Sequence, residues 1–102
     1  MIARIWRGCV RATDADEYEA YMRRVALPGY RDVPGNRGGY MLRRTVGQLE
    51  EFCMVTVWES MDAIRAFAGD DPEVAVFYPA DDRFLVTRDD RVAHYSVYAE
   101  LS

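Results

Sequence analysis

A single histidine, two tryptophans and seven tyrosines set the range of chemistry open to this chain. His94 is the only side chain whose ordinary pKa lies near neutrality, so it is the natural base if the protein moves a proton. The alternative is a structural histidine on a strand. Arg43 and Arg44 are adjacent in an extended segment and must point to opposite faces of it. One of them, with Arg44 the candidate, faces inward or toward a partner, where it could hold an anionic oxygen or form an intersubunit ion pair. Arg4 and Arg7 also have opposite parities and divide in the same way. Tyr40, Tyr78 and Tyr95 could each donate a hydrogen bond to a ligand oxygen or pack into a core or interface. Trp58 and Trp6 read either as pocket walls or as core residues with a satisfied indole N–H.

Several site classes are absent from the sequence. No Ser-His-Asp order, nucleophile elbow or carboxylate pair in an apolar setting is present. One histidine and no Cys-x-x-Cys spacing leave no metal site to propose. Gly35 and the Gly38-Gly39 pair lack the Gly-Lys-Ser/Thr that would make a phosphate cradle, so they read as a connector. The net charge is −4, and the acids cluster at Asp14/Asp16/Glu17/Glu19, Asp70/Asp71, Asp81/Asp82 and Asp89/Asp90. Such a surface repels phosphate backbones, which argues against nucleic-acid binding. No apolar run approaches the ~20 residues of a membrane span, and the first residues lack the apolar core of a secretory signal. The expected setting is the cytoplasm, with Cys9 and Cys53 as free thiols.

The elements that must position these residues follow from periodicity. Ile2 to Val10 reads as a strand. Thr13 offers a cap to a helix whose apolar stripe is Tyr18, Tyr21, Met22 and Val25, with Leu27-Pro28-Gly29 ending it. A loop from Tyr30 to Gly38 follows. Tyr40 to Val46 and Phe52 to Trp58 form a hairpin about Gly47-Gln48. Ser60 caps a second helix carrying Met61, Ile64, Phe67 and Ala68, and Gly69 stops it. A short helix over 72–78, a polar connector over 80–90 and a final strand from Val92 to Ala99 complete the chain. The order βαββαβ predicts one α+β domain over 1–102. Its ferredoxin-like sandwich has a four-stranded antiparallel sheet with helices on one face.

Phe52, Met54, Thr56 and Trp58 alternate with Cys53, Val55 and Val57, so this strand is apolar at both parities. The first strand shares that character. Two helices cover only one face of a four-stranded sheet, and the other would expose a few hundred Å² of apolar surface. A homodimer is the expected remedy, and a monomer with the 80–90 segment folded over the open face is the competing reading. Because both parities are apolar, alternation alone does not set the register, nor the face on which Trp58, Trp6 and His94 lie.

The run Val55-Thr56-Val57-Trp58-Glu59-Ser60-Met61-Asp62-Ala63-Ile64-Arg65-Ala66-Phe67 resembles the strand-to-helix junction of the antibiotic biosynthesis monooxygenase family. That family belongs to the dimeric α+β barrel superfamily, and in outline the likeness extends from Ile2 to Ala99. The resemblance implies dimers with a pocket between sheet and helices. Some members oxidise anthrones or hydroquinones without metal or flavin; others cleave haem. The haem-cleaving branch uses a strand-one asparagine, the strand-three tryptophan and a histidine after the second helix. Trp58 matches the tryptophan, but strand one has no asparagine and Ala75-Val76-Phe77-Tyr78 stands where the histidine would lie, so haem cleavage is not expected. The implied activity is a cofactor-free monooxygenase acting on a small aromatic or quinone-type substrate. His94, Trp58 and Arg44 would be the catalytic candidates, and Trp6, Tyr40, Phe67, Tyr78 and Tyr95 would line the substrate pocket. A non-catalytic binding or stress-related dimer, and a lyase, isomerase or cyclase, share the same scaffold.

Overall fold

The computed structural model describes residues 1–101; Ser102, the end of the expected domain, lies outside them. Its strands are β1 (Ile2–Arg11), β2 (Asn36–Val46), β3 (Leu49–Trp58), β4 (Leu85–Arg88) and β5 (Ala93–Ser96). Its helices are α1 (Ala15–Tyr21), α2 (Leu27–Arg31), α3 (Met61–Ala68) and α4 (Asp81–Phe84). The sheet is antiparallel with order β2-β3-β1-β4, and β5 also pairs with β1. The expected α+β ferredoxin-like sandwich is therefore present, with its fourth strand position shared. β5 pairs with Ile2–Ile5 of β1, and β4 pairs with Gly8–Val10, across an irregularity between Cys9 and Val10.

Several expected boundaries shift, each for a local reason. The first helix does not stop at Leu27-Pro28-Gly29 but runs on to Arg31. A π-turn over Met22–Ala26 lets the Leu27 N–H reach the Met22 carbonyl and puts Pro28 in the first turn of α2. There its missing N–H and its ring are tolerated. Tyr30 consequently sits on a helix rather than in a loop. Thr13 does not cap: a 3-10 turn over Ala12–Asp14 leads in, and the Ala12 N–H is already bound to the Gln48 carbonyl at 3.1 Å. No helix forms over 72–78. Val74 bridges Arg91, the Ala75 N–H bonds the Asp90 carbonyl at 2.9 Å, and the Pro72 and Val74 carbonyls accept from Arg4. The 80–90 connector instead holds α4 and β4, because Phe84 is drawn into the core.

Other expectations hold. Gly47, at φ 60°, opens the two-residue turn between Val46 and Leu49. Ser60 Oγ accepts from the Ala63 N–H at 3.1 Å, and Gly69 closes α3 at φ 97°. Cys9 and Cys53 are free.

Strand register fixes the two faces. Arg4, Trp6, Gly8 and Val10 of β1 lie opposite Thr56, Met54, Phe52 and Glu50 of β3. This set is buried beneath the helices, with Tyr18, Met22 and Phe84 packed onto it. The opposite parity, including Ile5, Cys9, Cys53, Val55 and Val57, is only half-buried. On β2 it includes Tyr40, Leu42 and Val46, at 72%, 48% and 44% exposure.

Candidate functional site

A groove opens between the first helix and the β2–β3 hairpin. One lobe, of about 230 Å³, is lined by Leu27, Tyr30, Met41, Met54 and Thr56, with Asn36 and Arg31 among its polar residues. The adjoining lobe, of about 290 Å³, shares Leu27, Met41 and Met54 and adds Met22, Phe52 and Arg43. Flexible thioethers and one aromatic floor suit a flat, apolar ligand. The continuation of the first helix past Pro28 is what carries Tyr30 and Arg31 to this edge.

Behind the groove lies an aromatic stack. Trp58 is wholly buried and packs on Phe67, with centroids 5.3 Å apart and planes 32° apart. Phe67 continues onto Tyr30 at 4.8 Å and 31°. The Trp58 indole N–H donates to Thr56 Oγ1 at 2.8 Å. Trp58 thus supports the groove through Thr56 instead of lining it. Burial holds the Tyr30 phenol above its ordinary pKa, so it is a neutral donor.

The Arg4 guanidinium, also buried, stands 5.7 Å from the Phe67 ring centroid. It donates to the Pro72 carbonyl, to the Val74 carbonyl at 3.1 Å, and to His94 Nε2 at 3.0 Å. A guanidinium has no acceptor, so His94 Nε2 must be its unprotonated nitrogen. Burial, with Arg4 adding to it, lowers the His94 pKa. His94 is therefore tied into a latch between β1, β5 and the 72–74 segment, and it does not line the groove.

The remaining candidates divide between the faces. Trp6 covers Gly8 and donates to the Asp89 carbonyl at 2.9 Å; an added Cβ at residue 8 would lie 2.6 Å from the Trp6 ring. Tyr78 sets its backbone N–H on Asp81 Oδ2 at 2.6 Å and its hydroxyl against Gly29. Asp81 is buried, accepts from the Tyr18 hydroxyl at 3.0 Å, and has its pKa raised by desolvation. Arg44 pairs with Glu51 at 2.9 Å on the uncovered face, where Tyr95 is 59% exposed. Tyr40 starts from that face but reaches the groove rim at the sheet edge. The structure thus keeps Arg44 and Tyr95 apart from Trp58, Trp6 and His94. Arg43 points to the helix side and is bound to Glu50 at 2.5 Å and to Glu19 at 3.0 Å.

The residues the sequence reading missed are Leu27, Tyr30, Met41, Met54 and Thr56. A signal existed for Thr56: it is the one hydroxyl in the Phe52, Met54, Thr56, Trp58 parity set.

The model of a family described as antibiotic biosynthesis monooxygenase matches residues 1–73. No curated protein matches the chain by sequence. Among solved structures, the haem-degrading protein MhuD of Mycobacterium tuberculosis, with two haems in its active site, aligns at TM-score 0.69. Its identity is 21%, over 100% of both chains. A proposed antibiotic biosynthesis monooxygenase of Nitrosomonas europaea aligns at TM-score 0.71 and 13% identity, over 97% of this chain and all of that one. One from Bacillus cereus gives 0.63 and 17%, over 100% of this chain and 95% of that one. At these identities the structural likeness speaks to the fold alone.

Proposed function

The chain belongs to the antibiotic biosynthesis monooxygenase family, and on that premise we propose that it is a cofactor-independent monooxygenase for a small, flat aromatic substrate. The observation that supports this is the groove itself, lined by Met41, Met54 and Leu27 together with Tyr30 and Thr56, and by Phe52 in the adjoining lobe. An anthrone or hydroquinone ionises readily, and its electron-rich anion reacts with oxygen. For an anthrone the ring methylene becomes a carbonyl, and the second oxygen atom leaves as water. The protein then has to hold the ring, keep water off it and stabilise the anion. The rim arginines Arg31 and Arg23 supply positive charge for that purpose.

Haem fits these residues poorly. An imidazole ligand would have to be His94, the only histidine, which hydrogen-bonds Arg4 and lies outside the groove. A second reading, a non-catalytic small-molecule-binding dimer, is favoured by one observation: the lining of the 230 Å³ lobe includes no carboxylate or imidazole.

We also read the protein as a homodimer joined through the uncovered sheet face, since Tyr40, Leu42, Val46 and Tyr95 form an exposed apolar surface there. A reducing, cytoplasmic setting matches the two free thiols. No helix among the described residues is long and apolar enough to cross a membrane.

The test is oxygen uptake, followed electrochemically, with a panel of anthrones and hydroquinones. Uptake faster than the protein-free rate is expected for at least one of them. No acceleration with any of them, alongside measurable binding, would leave the binding-protein reading. Tight haemin binding with a shifted Soret band would overturn the substrate class.

A further inference from the structure

Resting on the groove reading above, we infer that Thr56 is the hydrogen-bond donor that takes an acceptor oxygen of the ligand, a ring carbonyl or a phenolate, and that Trp58 is the positioning residue that sets it. Thr56 is 8% exposed and borders the groove beside the cross-strand pair Met41 and Met54. Its Oγ1 accepts the Trp58 indole N–H at 2.8 Å. An indole N–H can only donate, so this bond fixes the hydroxyl oxygen as acceptor and leaves the hydroxyl proton to be given elsewhere. Among the described residues no protein atom accepts that proton. The hydroxyl therefore keeps one donor bond that a ligand in the groove can take.

The surroundings support the assignment. Directly across from Thr56, on the helix-facing parity of β2, stands Gly39. Its φ is 149°, and an added Cβ would lie 2.0 Å from the Val55 carbonyl oxygen, so no side chain can stand there and cover Thr56. Gly38 precedes it in the same cavity wall. Trp58, for its part, is held by Phe67, which is held by Tyr30, so its N–H has little freedom to turn away. The result is a fixed donor in the cavity wall next to Met41 and Met54. That arrangement selects flat rings that carry an acceptor oxygen at one edge over rings that carry none.

The experiment compares anthraquinone-2-sulfonate with anthracene-2-sulfonate, which have the same ring outline and charge and differ in the carbonyls. Calorimetric titration gives the affinity ratio for the wild type and for Thr56→Val, Thr56→Ser, Trp58→Phe and Met41→Trp. The wild type is expected to prefer the quinone by about fivefold or more, the worth of one hydrogen bond. Thr56→Val should bring the ratio close to one, Thr56→Ser should retain most of it, and Trp58→Phe should lower it. A Thr56→Val ratio equal to the wild type's overturns the assignment, whether or not Trp58→Phe folds. Met41→Trp separates the two levels. If it weakens both probes while Thr56→Val leaves the ratio unchanged, the groove stands and the Thr56 role falls. If neither probe binds the wild type, or Met41→Trp affects neither, both readings fall together.

Discussion

The two faces of the sheet are made from similar residues and do different work. Beneath the helices, Trp6, Val10, Phe52, Met54 and Trp58 are buried, and every polar side chain among them is bound: Arg4 to carbonyls and His94, Glu50 to Arg43, Thr56 to Trp58. On the other face Ile5, Val55 and Val57 are comparably apolar yet only half-buried, and Arg44 meets Glu51 near solvent. What separates them is the cover. The helix-side face combines packing with a groove at one edge, where the covering helix and the hairpin part. The uncovered face carries a depression of about 200 Å³ beside Arg7, Cys9 and Glu51, bordered by Arg88 and Asp89 instead of by a covering helix.

Trp58→Ala should sharpen this contrast most. Removing a wholly buried indole from the covered face should cost about 3–5 kcal/mol, read as a large drop in denaturant midpoint. A loss below about 1 kcal/mol would mean that the covered face is not the core. Leu42→Asp, on the uncovered face, should leave the far-UV circular dichroism unchanged while weakening self-association about tenfold or more, or about 1.4 kcal/mol. Light scattering after size exclusion reads this directly, and an unchanged mass at every concentration would remove the proposed role of that face.

The smallest effect concerns pH. The His94 pKa is lowered in the folded chain by burial, so the unfolded chain binds more protons as pH falls through 6.5. The stability that His94 contributes is complete above that value and lost as pH drops toward the folded pKa. Arg4 faces it directly and Glu73 lies nearby, while Asp81, with its pKa raised, contributes with the opposite sign. Melting temperature should therefore fall between about pH 7.5 and about pH 5 in the wild type and fall less in His94→Gln, whose amide oxygen still accepts from Arg4. Parallel profiles would place His94 outside the latch.

Much of the scaffold was legible in the chain. β-Branched and aromatic runs located the first three strands. Ser60 and Gly69 bounded α3, Gly47-Gln48 marked the hairpin, and two-sided strands pointed to an uncovered apolar face. These are local signals of propensity and capping, which act within a few residues of each other. Where the reading failed, long-range contacts had overruled local preference. Pro28 and Gly29 look like a helix stop, but a π-turn absorbs the one and packing against Tyr78 uses the other. Residues 72–78 look helical, but their backbone groups bond to Arg4, Asp90 and Val92.

The site was the least legible part, for the same reason. Trp58 and Phe67 were visible as residues. Only the pairing of Thr56 with Gly39 on one side and Arg4 on the other, with Tyr30 brought in on an extended helix, turned Thr56 toward a cavity and Trp58 into its support. The sequence by itself determined the first three strands, the hairpin and α3, and that the sheet would be apolar on both sides. The tertiary structure alone decided which parity the helices cover. A one-residue change of register would exchange the faces without altering any local propensity.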